Sequence, residues 1–204
     1  MGANSEPGER MRFETALRLF DEANAHDPNT TIWNGAPYPH ELAYAKWLTE
    51  WVLRLCPEAS EELRLAARCQ HLCRWQVPRQ SYPMTRAGYL QWRECLKRFH
   101  AEKAGQILSE TGYPPETIAR VQSLNRKTDL AGDRETRVLE DALCLVFLEH
   151  QFAELARKTP EEKMLGVLQK TWKKMSPAGQ EAARSLPLGE KEKALLDQAL
   201  KSVQ

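Results

Sequence analysis

No run in this sequence approaches the roughly 20 apolar residues that a helix needs to cross a bilayer, so no membrane partner is expected. The first residues, MGANSEPGER, hold no apolar stretch of the kind that opens a secretory signal. Gly2 is followed by Glu6 where a myristoylation signal needs Ser or Thr. The five cysteines are an odd number without disulfide-framework spacing, and several fall at apolar positions where a reduced thiol packs as a small hydrophobe. The expectation is a reducing, cytoplasmic setting. Only 10 glycines occur in 204 residues, which argues against a low-complexity chain. Strand-like alternation and internal repeats are absent. So are a CxxC pair, an HExxH pair, a glycine-rich phosphate loop and a nucleophile elbow, which removes the usual short signatures of chemistry.

What remains is helical periodicity. Residues 1–10 read as a disordered tail. A first helix is expected over Arg12–Ala25, and the Asn34-Gly35 pair after it signals a turn. Pro39 or His40 opens a second helix to Leu55, with His40, Tyr44, Trp47, Leu48, Trp51 and Leu55 on one face. Ser60 caps a third, running to about Trp75 and carrying His71. After the two-proline loop Gln76–Thr85, a long helix spans Arg86–Thr111 and stops at Gly112, and Pro115 begins a shorter one to about Arg126. A helix then covers Val138–Leu155, and Thr159-Pro160 opens further C-terminal helices. The expected architecture is all-α: a tail over 1–10, one helical domain over 11–158 and a C-terminal extension over 159–204.

The net charge of +1 conceals a local excess. Between Arg64 and Arg137 there are fourteen Lys/Arg against seven Asp/Glu, which suits an anionic partner such as a phosphate group. Arg74, Arg79, Arg86, Lys97 and Lys127 are candidates to hold it, and Tyr82, Tyr89 and Trp92 to stack on a base. The stripe Val138, Asp141, Leu145, Leu148, Phe152, Leu155 places one carboxylate among apolar residues. A core-facing Asp needs a partner. His40, His71 and His100, each on or beside the stripe of a different helix, could share one divalent ion with it, of the Fe, Mn, Zn or Ni type.

In order and spacing this arrangement resembles the HD-domain superfamily of metal-dependent phosphohydrolases. HELAYAKWLTEWVLRL is similar to its first site helix, AARCQHLCRW to the run ending in a His-Asp pair, FHAEKAGQIL to a later histidine motif, and LEDALCLVF to the phrase carrying the last aspartate. The resemblance implies a helical bundle, one metal on His40, His71, His100 and Asp141, and hydrolysis of a phosphorylated small molecule or nucleotide. Leu72 stands where the family has the aspartate of its His-Asp pair. Glu41 and Glu140 are candidates to replace that carboxylate, with Lys127 beside them in a catalytic role. Residues 11–183 also resemble, over a longer span, a bacterial family known only as domain of unknown function 4202, which implies no activity. The alternative is a non-catalytic nucleotide- or anion-binding module. A third reading, RNA contact through Lys170-Thr171-Trp172-Lys173-Lys174, is the least favoured, because such a run is more often a solvated helix face.

Overall fold

A computed structural model describes residues 7–129 and 132–201. Among these residues ten α-helices follow one another, with a single short hairpin between the first two. Helix α1 (Pro7–Ala25) begins before Arg12, so the four residues from Pro7 to Arg10 are helical rather than tail, and the rest of the expected tail lies outside the described residues. Its face carrying Phe13, Ala16 and Phe20 is buried. Strands β1 (Thr30–Trp33) and β2 (Ala36–Pro39) pair antiparallel around Asn34-Gly35. Both turn residues have positive φ, 52° and 79°, the backbone of a two-residue hairpin turn that Asn-Gly adopts at little steric cost. The sequence reading found the turn and missed the strands, because four residues a side are too few to establish alternation.

Helix α2 (His40–Leu55) fills the centre with Tyr44, Trp47, Leu48, Trp51 and Val52. Helix α3 (Glu61–Cys69) is capped by Ser60, whose hydroxyl accepts from Leu63 N–H at 3.1 Å. It ends six residues earlier than expected. Residues 70–73 form a turn that Cys73 closes in the left-handed region, φ 53°. The Cys73 N–H donates to Asn24 Oδ1 at 2.9 Å, so buried Asn24 of α1 holds the turn in place. His71 therefore projects from a turn and not from a helix stripe.

Helices α4 (Arg86–Glu110) and α5 (Pro115–Arg126) form an antiparallel pair joined through Gly112, φ 79°. Thr85 caps α4, accepting from Gly88 N–H. A side chain at Gly88 would meet the Pro83 carbonyl oxygen at 2.2 Å. Gly88→Ala should therefore force the 76–85 loop off the helix and destabilise the protein by about 1–3 kcal/mol. A wild-type urea midpoint in that variant would contradict this packing.

Helix α6 (Arg134–Val146) does not run straight into α7 (Phe152–Lys158). A π turn, Phe147–Gln151, separates them. The expected single stripe is broken there: Leu148 and Phe152 stay buried, but Leu155 is exposed. Helices α8 (Glu161–Lys174), α9 (Pro177–Arg184) and α10 (Glu190–Lys201) complete the chain. Met164, Leu168 and Trp172 of α8 belong to the same continuous core as α2, α3 and α6, so packing does not pause at residue 158.

Candidate functional site

A cavity of about 380 Å³ lies at the meeting of the 70–74 turn with α2, α4, α5, α6, α8 and the π turn. That volume lies at the lower end of small-molecule sites, which span about 300–1,000 Å³. Its charge is lopsided. Among the described residues Arg74, Arg93, Lys97, Lys127 and Lys174 line it, against the single carboxylate Glu140. Four parts of the fold supply these cations. Arg74 follows the Cys73 turn and lies over the Trp92 ring, 4.9 Å from its centroid. Arg93 and Lys97 are one helical turn apart on α4, below Tyr89 at the same spacing. Lys127 is the left-handed cap of α5, φ 56°. Lys174 ends α8.

Glu140 is already committed. It forms an ion pair with Lys127, and Lys174 Nζ stands 3.7 Å from its other oxygen. Burial pushes the Glu140 carboxyl up, but Lys127, Lys174 and Arg93 together hold it below its ordinary value. Burial lowers the Lys127 ammonium, opposed by Glu140. The pair leaves a wall with net positive charge facing the cavity.

The deeper surface is uncharged. His71 stacks on Tyr44 with ring centroids 4.1 Å apart and the planes tilted 20°. Its Nδ1 lies 3.4 Å from Glu41 Oε2, and its side chain keeps 21% exposure. Burial, then Arg74 and Lys127, hold its pKa well below the usual range. His100 lies beside it, ring centroids 5.8 Å apart, and its Nδ1 is 2.9 Å from the Leu72 carbonyl. A carbonyl only accepts, so that nitrogen carries the proton, and Nε2 is left as a bare acceptor. Burial, then His71, push the His100 imidazole down to about 3. Behind them Glu41 is raised to about 7, chiefly by burial and against Arg74.

These shifts have a sign. An imidazole depressed in the folded state contributes stability that is complete above its unfolded pKa, 6.5 for His100, and is lost as pH falls. Each ring should therefore weaken the fold on acidification. Glu41 opposes one of them between its unfolded value of 4.5 and about 7, since its raised carboxyl costs stability as pH rises there. The urea midpoint should therefore fall gently from pH 6.5 to 4.5 and more steeply below, and His100→Gln should flatten both segments. A wild-type midpoint that holds constant below pH 6.5 would refute this.

Of the residues picked out in the sequence, the cavity gathers His71, His100, Arg74, Tyr89, Lys97, Lys127 and Glu140. The others are placed elsewhere. Both Asp141 oxygens accept from Ser176, one from its N–H at 2.7 Å and the other from its hydroxyl at 2.5 Å, so the α9 cap is a partner of this buried carboxylate. His40 begins α2, partly exposed and off the cavity lining. Glu41 lies behind His71. Arg79 folds back on its own loop, donating to the carbonyls of Tyr82 and Pro83 at 2.9 and 2.7 Å. Trp92 Nε1 donates to Val77 O at 2.8 Å, which ties that loop to α4. Tyr82 stands against Cys95, and Arg86 is exposed at the start of α4. His150 stacks on Trp47 with centroids 4.0 Å apart.

The metal set suggested by the resemblance is thus not assembled: Asp141 is capped, His40 stands apart, Leu72 supplies no carboxylate, and the two remaining histidines share a cavity with five cations. Among the described residues no group of three or more His, Cys, Asp or Glu is arranged to hold a metal ion. These residues do not fit the group.

Four contributors escaped the sequence reading: Arg93, Lys174, Gln70 and Asn125. The spacing Tyr89, Arg93, Lys97 could have disclosed the first. Lys174 was visible only as part of a lysine run, which the fold divides. Trp172 turns into the core while Thr171 and Lys174 border the cavity, so the run is not a continuous surface strip. Gln70 and Asn125 carried no signal.

The family model described as "Domain of unknown function (DUF4202)" matches residues 14–196. The chain belongs to the DUF4202 family. The match spans every element that borders the cavity, α8 included, so the DUF4202 unit is the cavity with its surrounding helices and does not stop at residue 158. No curated protein and no solved structure matches this DUF4202 chain. Among its described residues no helix is long and apolar enough to cross a membrane.

Proposed function

We propose that the cavity binds a phosphorylated small molecule or nucleotide, and that the chain is a non-catalytic anion-binding module. One observation carries this reading: five cationic side chains from four parts of the fold line one cavity whose single carboxylate among the described residues is already paired. Like charges held near one another repel, and the arrangement is relieved when an anion enters. Arginine forks and lysine ammoniums are the groups that recognise phosphate oxygens.

An HD-like, metal-dependent hydrolase is the competing reading. Its support is the order of the histidine-bearing segments, together with the contact between Glu41 and His71. Yet the ligand set is dispersed: Asp141 accepts from Ser176 at the α9 cap, and His40 lies off the cavity lining. The binding reading therefore leads.

Isothermal titration with inorganic phosphate and adenosine 5′-monophosphate tests it. Both should bind in the presence of EDTA. Arg93→Gln and Lys97→Gln each remove one cation from the α4 face, and each should weaken binding by about 10-fold or more, the worth of a charge-assisted hydrogen bond. Wild-type affinity in both variants would sink the proposal. Binding abolished by EDTA and restored by a divalent metal would return the hydrolase reading to first place.

A further inference from the structure

Helices α6 and α8 run antiparallel along one side of the cavity. Arg137 Nη1 donates to the Lys174 carbonyl at 3.2 Å, and Lys174 Nζ stands 3.7 Å from Glu140. One turn further on, Cys144 Sγ lies 3.9 Å from the Thr171 carbonyl. Residue number therefore rises along α6 as it falls along α8. The lining residues follow this register. On α6 and the π turn they run Glu140, Leu143, Cys144, Phe147, and on α8 they run Lys174, Thr171, Val167. Each series starts charged and ends apolar, and the register sets Phe147 across from Val167. Both series cover the same seven-residue step, 140 to 147 and 174 to 167. At ~1.5 Å per residue the two ends lie about 10 Å apart.

The charged end gathers Lys127 and Lys174 around Glu140. Arg93 is close enough to act on the charge of both Lys127 and Glu140. The other end is different in kind. Leu143, Phe147 and Val167 are only half-buried, whereas Leu139, Leu145 and Leu168 of the same helices are buried outright. On the cavity lining this is apolar surface that a ligand can cover. Thr171, midway, spends its hydroxyl proton on the Val167 carbonyl at 2.9 Å. Gln151 completes the apolar end with one amide, brought to the lining beside Phe147 by the π turn.

We infer that the ligand is a phosphate ester carrying a flat ring on a spacer, with its phosphate among Arg93, Lys127 and Lys174 and its ring about 10 Å away against Leu143, Phe147 and Val167. This rests on the proposed anion site and specifies what that site accepts at its far end. A sugar phosphate without a base would lose water from its hydroxyls against apolar side chains and gain little in return. A ring covers the same surface and adds an aromatic pairing with Phe147.

Two matched pairs of esters test this by titration of the full chain: adenosine 5′-monophosphate against ribose 5-phosphate, and 4-phenylbutyl phosphate against butyl phosphate. The members of each pair share phosphate and spacer and differ in the ring, and inorganic phosphate is the reference. In at least one pair the ring-bearing member should bind about 10-fold or more tightly. A preference confined to the first pair identifies a heteroaromatic base, whose polar edge Gln151 can hydrogen-bond. One confined to the second identifies a hydrocarbon ring. Phe147→Leu should cut the preference to about 3-fold with inorganic phosphate affinity unchanged. Val167→Asn is the second variant, should Phe147→Leu lose its helical circular dichroism, and it should cut the preference likewise. A preference undiminished in both variants overturns the placement of the ring. Equal binding within both pairs overturns the inference and, with inorganic phosphate still bound, leaves the anion site standing. No binding of inorganic phosphate or of any ester overturns the anion site and the inference together.

Discussion

Asp141→Ala should lower the midpoint of thermal unfolding by about 6–12 °C, from a loss of about 3 kcal/mol, while phosphate binding in the cavity persists. The carboxylate is 3% exposed and accepts two bonds from one residue, Ser176 N–H and Oγ. Ser176 in turn caps α9, its hydroxyl accepting from Gly179 N–H at 3.2 Å. Removing the carboxylate leaves the half-buried Ser176 N–H without this partner and frees the cap of α9. Hydrogen bonds to a charged acceptor contribute about 1.5–3 kcal/mol each. Gly179 reports the same contact from the other side, since a methyl group there would lie 2.6 Å from the Asp141 carboxyl carbon. Calorimetry of Asp141→Ala and Asp141→Asn, beside phosphate titration, decides between roles. A clasp gives lost stability and retained binding. Retained stability with lost binding would make Asp141 a ligand-contacting residue after all.

Lys127→Met should be as damaging to stability and should also weaken anion binding. Glu140 has 7% of its side chain exposed and depends on Lys127 for compensation, with Lys174 more distant at 3.7 Å. Breaking a buried pair by removing one partner costs about 3–5 kcal/mol, because the remaining charge is left without its counter-ion. Lys174 offsets part of this, so the lower end of that range is expected. Adding Glu140→Gln to Lys127→Met should recover most of the lost stability, a non-additivity that a double-mutant cycle reads directly. The binding defect should remain, since the cation is still missing. Additive losses in the cycle would show that the two residues do not act as a pair.

Much of the fold was legible because it is written in periodicity and punctuation. Gly112, Pro115 and Ser60 stop or start helices where the sequence places them, since each acts through its own backbone or side chain. The end of α3 was not legible. Nothing local ends that helix at Cys69; the decision is taken by Asn24, some fifty residues away, which captures the Cys73 N–H. His71 moved from a helix stripe to a turn as a result. The Asp141 argument was sound as far as it went: a buried carboxylate does have a partner. Its identity could not be read, because Ser176 lies in a different helical segment and resembles any other N-cap. The cationic excess did point to the cavity, but only the fold could separate Arg74, Lys97 and Lys127, which face it, from Arg79 and Arg86, which do not.

The π turn between α6 and α7 makes this segment sensitive to residue count as well as to residue type. Five residues, Phe147–Gln151, fill a space that regular α-helix would cross with one fewer. Deleting any one of them would let an unbroken helix form, and everything after the deletion would swing by about 100° relative to α6. Phe147 and Gln151, both on the cavity lining, would no longer face it together, and His150 would leave its stack on Trp47. Point substitutions at exposed positions of the turn should be absorbed there, whereas a single-codon deletion should dismantle one side of the cavity and the aromatic layer behind it at once.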